Sequence, residues 1–126
     1  MEQYLKMTKA LSDRTRVRIL GILRKAGKPL CICEIVDSVY LAQYNVSKHI
    51  KELKNAGLVS EKRDGKFMFY SITEPKDRFH GHLLDAFRFI DSKETVDDGK
   101  RLGKRLGCRV AGKCVIGINK QNGRIK

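Results

Sequence analysis

Residues 46–70 read VSKHIKELKNAGLVSEKRDGKFMFY, and this stretch decides the fold. Its first half places Val46, Ile50 and Leu53 at the spacing of one face of an α-helix. Its second half is centred on residues 64–65, Asp-Gly, a strong signal for a two-residue β-hairpin, and ends in an aromatic-rich run. The stretch therefore predicts a helix followed directly by a hairpin.

Upstream of this stretch the periodicity predicts three more helices. Residues 3–10 are expected to form a short helix, and a second is expected to start at Ser12 as its N-cap and to stop at Gly27. After a break at Pro29, apolar residues recur at i, i+3, i+4 and i+7 and predict a helix from about residue 31 to 40. This helix and the one after it form a helix-turn-helix.

Downstream of the hairpin, Pro75 suits the first position of a helix, and an apolar stripe from Phe79 to Ile90 predicts that helix. The resulting order, helices then hairpin then helix, predicts a mainly α fold with a β-hairpin wing, the winged helix-turn-helix, over residues 1–98. The stripe, with residues 4–7 beside it, predicts a homodimer formed through the terminal helices. The alternative is that the stripe folds onto its own domain.

The composition limits the class of protein. A chain of 126 residues with 41% hydrophobic residues favours one domain with one small core. Lys and Arg number 27 against 14 Asp and Glu, so the expected partner is an anion, and nucleic acid is the favoured one. Without an apolar run that could span a bilayer, the chain is expected to be cytoplasmic with no membrane partner. In that reducing compartment its cysteines are expected to be thiols or metal ligands.

The charge is concentrated at one end of the chain. Residues 99–126 carry nine basic side chains, no acidic ones and six glycines, together with Cys108 and Cys114. They are interpreted as a basic, Gly-rich tail on a domain that ends at residue 98. Three interpretations of the tail stay open: a counter-charge for DNA phosphate, a metal-binding lid, or a small strand over residues 114–118.

The second helix of a helix-turn-helix presents its N-terminal side chains to base edges in the major groove. Gln and Asn pair with adenine, and Ser, Lys and His serve bases or phosphates, whereas basic side chains on the wing reach the backbone or the minor groove. The candidate DNA-binding residues are Gln43, Tyr44, Asn45, Ser47, Lys48, His49, Lys51, Lys62, Arg63 and Lys66. Each basic element alone is more often an ordinary solvated surface, but their coincidence with the net charge of +13 favours binding to double-stranded DNA.

Three stretches, LSDRTRVRIL at 11–20, CICEI at 31–35 and VSKHIKELKNAGLV at 46–59, resemble the ArsR/SmtB family of winged-helix metalloregulators, and RDGK at 63–66 resembles that family's wing. The resemblance runs from about residue 4 to residue 92. It implies a homodimeric transcriptional repressor on an operator that is an inverted repeat. It also implies release from the operator when a metal or metalloid binds.

Cys31 and Cys33 are the first candidate ligands, since soft thiolates suit As(III), Sb(III), Cd(II), Zn(II) or Cu(I). Both can face one ion only if Cys31 precedes the helix, because side chains at i and i+2 of a helix diverge. Arsenic sensors of this family carry Cys-x-Cys-x-x-Cys here, and the third position in this chain is Val36. The hypothesis is a thiolate site of Cys31 and Cys33 with one or both of Cys108 and Cys114. Three thiolates suit arsenite or antimonite and four suit zinc or cadmium; the alternative is that the cysteines are small core residues.

Other interpretations are less favoured. Asp77, His80 and His82 resemble part of an interfacial zinc site of the family, but a pair of ordinary surface or interface histidines is expected instead. A thiol enzyme is not expected, since Cys-x-Cys is not the redox motif Cys-x-x-Cys and no catalytic triad pattern or phosphate loop is present. A winged-helix regulator that senses thiol oxidation, one that has no metal response, and an RNA-binding winged helix remain as alternatives.

Overall fold

Six α-helices and three β-strands build residues 1–110, the part of the chain that this computed structural model describes. The helices are α1 (Glu2–Ala10), α2 (Arg14–Ala26), α3 (Ile32–Val39), α4 (Gln43–Asn55), α5 (Arg78–Ala86) and α6 (Lys93–Leu106). The strands are β1 (Leu30–Cys31), β2 (Val59–Asp64) and β3 (Phe67–Ile72), and a short 3-10 helix covers Phe87–Phe89. This is the predicted mainly helical fold with a β wing.

The ends of α2 follow from local chemistry. Asp13, not the predicted Ser12, is the N-cap, and its carboxylate accepts a hydrogen bond from the amide of Arg16 at 3.1 Å. The Ser12 hydroxyl instead donates to the carbonyl of Lys9 at 2.7 Å and helps to end α1. Gly27 ends α2 as predicted, in the left-handed conformation at φ 65° that glycine adopts without a Cβ penalty.

The core lies where α2, α3 and α4 meet. Ile19 and Leu20 of α2, Ile35 of α3 and Leu53 of α4 are each fully buried. Burial of a side chain of this kind contributes about 1.5–3 kcal/mol. The two helices of the helix-turn-helix are therefore held to each other and to α2 by apolar packing.

The sheet has the order β1-β3-β2 and both pairs are antiparallel. Asp64 pairs with Phe67, so the two residues of the turn are Gly65 and Lys66 and the predicted turn was one residue too early. Gly65 has φ 64° at the first turn position, where type II′ hairpins place glycine. The two-residue strand β1, which sequence periodicity did not predict, adds the chain before α3 to the edge of β3.

The C-terminal part differs from the prediction in two ways. The helix expected over Phe79–Ile90 is α5 followed by the 3-10 helix. The predicted domain boundary at residues 98/99 falls inside α6, which packs against α2 and α3 and buries Gly99 and Leu102. Residues 99–106 are thus part of the folded domain. Cys114 and the proposed strand over residues 114–118 lie outside the described residues.

Across residues 1–110, no helix is both long and apolar enough to cross a membrane.

Candidate nucleic-acid interface and thiol cluster

Helix α4 presents a polar face to solvent. Val46, Ile50 and Leu53 hold its other face in the core. The predicted contact residues Gln43, Tyr44, Asn45, Ser47, Lys48 and Lys51 are all exposed, and Tyr44 keeps 77% of its surface accessible. Because Tyr44, Lys48 and Lys51 follow each other at i, i+4 and i+7, they line the face opposite the core.

His49 is the exception among the predicted DNA-binding residues of α4. Its side chain is 18% exposed and turns toward the start of α2. There the Nε of Arg16 donates to His49 Nδ1 at 3.2 Å, and Asp13 Oδ1 lies 3.8 Å from the same nitrogen. His49 therefore joins α4 to α2, and Arg16 is a basic residue beside the recognition helix that the sequence pattern did not single out.

The wing lies next to the end of α4. Only Ala56, Gly57 and Leu58 separate α4 from β2, and an ion pair between Lys54 and Glu61 joins the two elements. At the hairpin, the predicted residues Lys62, Arg63 and Lys66 are exposed. These cations extend the basic surface of α4, which is the charge pattern that a duplex requires.

Cys31 and Cys33 lie together at the start of α3. Cys31 is extended at φ −78°, ψ 162° and is the N-cap, whereas Cys33 is in the first turn. Both are buried and form a small cluster with Phe67 and Phe69 of β3, apart from the main core. Because Cys31 precedes the helix, the two thiols share one environment despite their i, i+2 spacing.

Glu34 fixes the same end of α3. Its Oε1 accepts from the amide of Cys31 at 3.0 Å, and both of its oxygens accept from Arg109 at 2.7 Å. Burial by itself raises the pKa of Glu34, but the hydrogen bonds from Arg109 and from Cys31 outweigh it, so the pKa lies below its ordinary value. Arg109 also donates to the carbonyl of Pro29 at 2.8 Å, which ties the chain after α6 to the segment that leads into Cys31.

The hypothesised thiolate site joins Cys31 and Cys33 with one or both of Cys108 and Cys114, and among the described residues Cys108 does not join the two buried thiols. Cys108 is exposed, and its Sγ lies 3.8 Å from the carbonyl of Lys104. Within residues 1–110, no group of three or more His, Cys, Asp or Glu side chains is arranged to hold a metal ion. The structure thus brings Cys31 and Cys33 together and leaves Cys108 apart from them, and Cys114 lies outside the described residues.

At the start of α5, Asp77 caps the helix and His80 packs in the interior of the protein. Asp77 is the N-cap and accepts from the amide of His80 at 2.9 Å and from the hydroxyl of Tyr4 at 3.0 Å. The amide hydrogen bond from His80, followed by the one from Tyr4, lowers the pKa of Asp77. His80 is fully buried and accepts from the amide of Lys76, whereas His82 is exposed. His80 is therefore a core residue, contrary to the expected pair of surface or interface histidines.

A helix-turn-helix with an exposed basic second helix and a basic hairpin defines the winged-helix DNA-binding regulators. A family model described as "Bacterial regulatory protein, arsR family" matches residues 13–61, from the N-cap of α2 into β2. The chain is 36% identical over 94 residues to the cadmium resistance transcriptional regulatory protein CadC homolog of Staphylococcus aureus, covering 75% of this chain and 74% of the relative. It belongs to the ArsR family.

Two further comparisons agree with this assignment. The arsenical resistance operon repressor of Escherichia coli is 29% identical over 81 residues, covering 64% of this chain and 68% of the repressor. The crystal structure of Mycobacterium tuberculosis Rv0081 superposes with a TM-score of 0.57 at 31% identity, covering 69% of this chain and 83% of that chain. The protein is thus a DNA-binding transcriptional repressor of a family that is not enzymatic, as the sequence predicted.

Proposed function

We propose that this repressor binds an inverted-repeat operator as a homodimer and is released by a thiophilic metal or metalloid. Arsenite or antimonite is the favoured effector, and zinc or cadmium comes second. The observation that supports this proposal is the cluster in which Cys31 and Cys33 pack against Phe67 and Phe69 of the wing. Thiols at this position connect ion binding to an element that contacts DNA.

The DNA half of the proposal places α4 in the major groove. Its exposed residues offer amide and hydroxyl groups to base edges from Gln43, Asn45 and Ser47, and positive charge to phosphates from Lys48 and Lys51. The wing places Lys62, Arg63 and Lys66 on the backbone or in the minor groove. Two such modules related by a two-fold axis read half-sites about 34–36 Å apart.

The second part of the proposal is that two thiols begin the effector site. Cys31 and Cys33 supply two soft ligands at the N-terminus of α3, where the helix dipole favours negative charge. The relatives are named for cadmium and for arsenical resistance, which makes a soft ion the expected effector. Three thiolates complete a site for As(III) or Sb(III), and four complete one for Zn(II) or Cd(II).

The remaining thiolates are expected from Cys108 and Cys114. Cys108 directly precedes Arg109, whose guanidinium already contacts Glu34 and the carbonyl of Pro29 beside Cys31. The side chain of Arg109 thus connects this part of the chain to the thiol end of α3. Binding requires the Cys108 side chain to turn away from the carbonyl of Lys104 toward the cluster.

Release from DNA follows from the contacts of the cluster. Cys31 pairs with Phe69 in the sheet, and both thiols pack on the aromatic side chains of β3. An ion that draws the thiolates together shifts α3 relative to the wing. Because an ion affects DNA binding only through different affinities for the two states, it must bind the DNA-free geometry more tightly.

The experiment is a fluorescence anisotropy titration of a labelled duplex, selected from a random pool on the wild-type chain. As(III), Sb(III), Cd(II), Zn(II) and Cu(I) are added in turn under reducing conditions. Release is expected at the lowest concentration with As(III) or Sb(III), and Cys31→Ser or Cys33→Ser is expected to abolish it without weakening DNA binding. Lys28→Ser, an exposed neighbour of the cluster in sequence, is the control.

The other outcomes separate the alternatives. Release by Zn(II) or Cd(II) alone, with dependence on all four cysteines, identifies the tetrahedral site as the correct one. Release only by an oxidant identifies a redox regulator. The thiolate site is wrong if no ion or oxidant releases the duplex, or if all four single Cys→Ser variants respond like wild type. Binding of the wild-type protein to the duplex without any ion tests the proposed DNA binding separately.

A further inference from the structure

The turn of the helix-turn-helix contains an unusual backbone conformation. Tyr40, which directly follows α3, has φ 60° and ψ 47° and is the one residue with a side chain in the left-handed region among residues 1–110. A side chain makes this conformation unfavourable, so neighbouring contacts must hold it. Three residues later, at Gln43, the chain enters α4, and the direction of α4 depends on this turn.

Two arginines hold the end of α3 that leads into the turn. The Nε of Arg101 donates to the carbonyl of Ser38 at 2.7 Å, and an Nη of Arg18 donates to the carbonyl of Val39. The last carbonyls of a helix have no partner within the helix, so these side chains supply the missing donors. The guanidinium of Arg101 also lies 5.5 Å from the centre of the Tyr40 ring, within the range of a cation–π interaction.

One buried carboxylate joins the two arginines. Asp98 is 1% exposed and accepts from Arg18 at 2.8 and 2.9 Å and from Arg101 at 2.8 Å. The hydrogen bond to Asp98 raises the pKa of Arg18 and outweighs the opposite effect of its burial. Asp98 thus fixes both donors at the carbonyl end of α3.

The second half of α6 and the residues after it run antiparallel to α3. Arg101 contacts Ser38, Arg105 pairs with Asp37 at 2.7 Å, and beyond the helix Arg109 pairs with Glu34. All of α6 lies outside residues 13–61, the part of the chain that the family model matches.

We propose that Arg101 is a positioning residue for DNA recognition. Together with Asp98 it fixes the turn at Tyr40, and the turn aims the side chains of α4 at the base edges. Arg101 acts through the turn and makes no contact with the duplex. Its loss therefore weakens binding to a specific sequence more than binding to DNA in general.

The alternative is that Arg101, which is half-exposed, contacts a phosphate. The two cases differ in measurable ways. Loss of a phosphate contact weakens binding to all duplexes about equally and reduces the salt slope by about one. Loss of a positioning residue leaves the salt slope unchanged and reduces the preference for the selected duplex.

The experiment compares Arg101→Ala with Lys100→Ala, which removes the same charge from an exposed neighbouring position of α6. Dissociation constants are measured for the selected duplex and for a scrambled duplex at several salt concentrations. Arg101→Ala is expected to weaken binding to the selected duplex about tenfold, a coupling of the size found for residues in contact, and to the scrambled duplex less than about twofold. Lys100→Ala is expected to affect both duplexes alike and by no more than about twofold.

Circular dichroism and thermal unfolding accompany these measurements. Arg101→Lys keeps the charge and the aliphatic stem, but one ammonium group does not reproduce the planar contact with Asp98, Ser38 and the Tyr40 ring. It is expected to lose preference for the selected duplex as well, and it replaces the alanine variant if that variant is unfolded at the assay temperature. The proposal is overturned if the folded variant binds the selected duplex within twofold of wild type. It is equally overturned if binding to both duplexes weakens alike.

Discussion

Lys48 is the residue on which the electrostatic part of DNA binding is best tested. It is exposed on α4, directly opposite the buried face that Val46 and Ile50 define. Each phosphate that a lysine neutralises releases counterions, so binding falls with salt in proportion to the number of such contacts. A lysine at this position is expected to contribute one contact of this kind.

Replacing Lys48 with alanine is therefore expected to weaken binding to every duplex and to reduce the slope of log K against log salt by about one. Lys9→Ala is the control, since Lys9 is an exposed lysine near the end of α1. Anisotropy titrations between low and moderate salt measure both variants. An unchanged slope for Lys48→Ala would show that this face of α4 does not lie on the phosphates.

Exposure on α4 was predictable from the sequence, but the role of His49 was not. The helical period alone places Lys48 and Lys51 on the solvent side. The bond between His49 and Arg16 depends on how α2 crosses α4, and the two residues are 33 positions apart. Residue type and local period do not contain that information, so the contact between His49 and α2 was not predicted, and a contact of His49 with DNA stays a prediction.

At the scale of elements, the buried ion pair between Arg105 and Asp37 anchors α6 to α3. Their side chains are 5% and 6% exposed and their charged atoms are 2.7 Å apart. A buried charge that loses its partner is costly, whereas an apolar pair of similar volume is often equally stable. The pair is thus expected to be sensitive to single changes and tolerant of a double change.

Asp37→Leu alone is expected to destabilise the protein by about 3–5 kcal/mol because it leaves Arg105 buried without this counter-charge. The double variant Asp37→Leu, Arg105→Met is expected to recover most of that loss. Urea unfolding of the two single variants and the double variant gives the coupling energy. Additive losses would show that the two side chains stabilise the protein independently.

A second ion pair, between Glu34 of α3 and Arg109, predicts how the stability of the protein depends on pH. The pKa of Glu34 in the folded state is below its ordinary value. Its carboxylate therefore contributes to the free energy of unfolding at neutral pH and down to about pH 4. That contribution is lost as the pH falls through the pKa of the folded state. Glu34→Gln is expected to lower the melting temperature at pH 7, with a difference from wild type that shrinks below about pH 4. Melting curves between pH 7 and pH 3 measure this. A difference that stays constant over the whole range would contradict the prediction.

Helix α6 shows why apolar periodicity did not find every element. Ser92 is the N-cap of this helix and forms a capping box with Thr95, but threonine stands where the sequence signature of a capping box has Glu or Gln. The buried face of this helix, however, contains Asp98, Gly99 and Arg105 as well as Leu102. The sequence of the face is therefore mostly polar and does not show the apolar period of a core helix. The polar residues of this face pair with Arg18 of α2 and with acidic and carbonyl groups of α3, so ion pairs and hydrogen bonds take the place of much of the apolar stripe that would have indicated the helix.

For the whole molecule, the proposed function makes affinity for an operator depend on whether two copies associate. Helices α1 and α5 adjoin: the ring of Tyr4 makes an edge-to-face contact with the ring of Phe79, with ring centres 4.9 Å apart, and the Tyr4 hydroxyl donates to Asp77. Leu5 and Phe79 keep 53% and 41% of their surfaces exposed on these helices. The exposed apolar side chains match the predicted dimer surface of the terminal helices, and a second copy is the proposed partner.

The double variant Leu5→Gln, Phe79→Gln removes apolar surface without changing the net charge. It is expected to sediment as a monomer, and its affinity for the selected duplex is expected to fall about a hundredfold because two half-sites are no longer bound together. Val96→Gln, at an apolar position of α6 that is 45% exposed, is the control and is expected to remain dimeric. Sedimentation velocity and anisotropy on the same samples connect the two effects. If the double variant stays dimeric, the dimer interface lies elsewhere. If the wild-type protein binds the selected duplex as a monomer, the proposal that a two-fold dimer binds the operator is wrong.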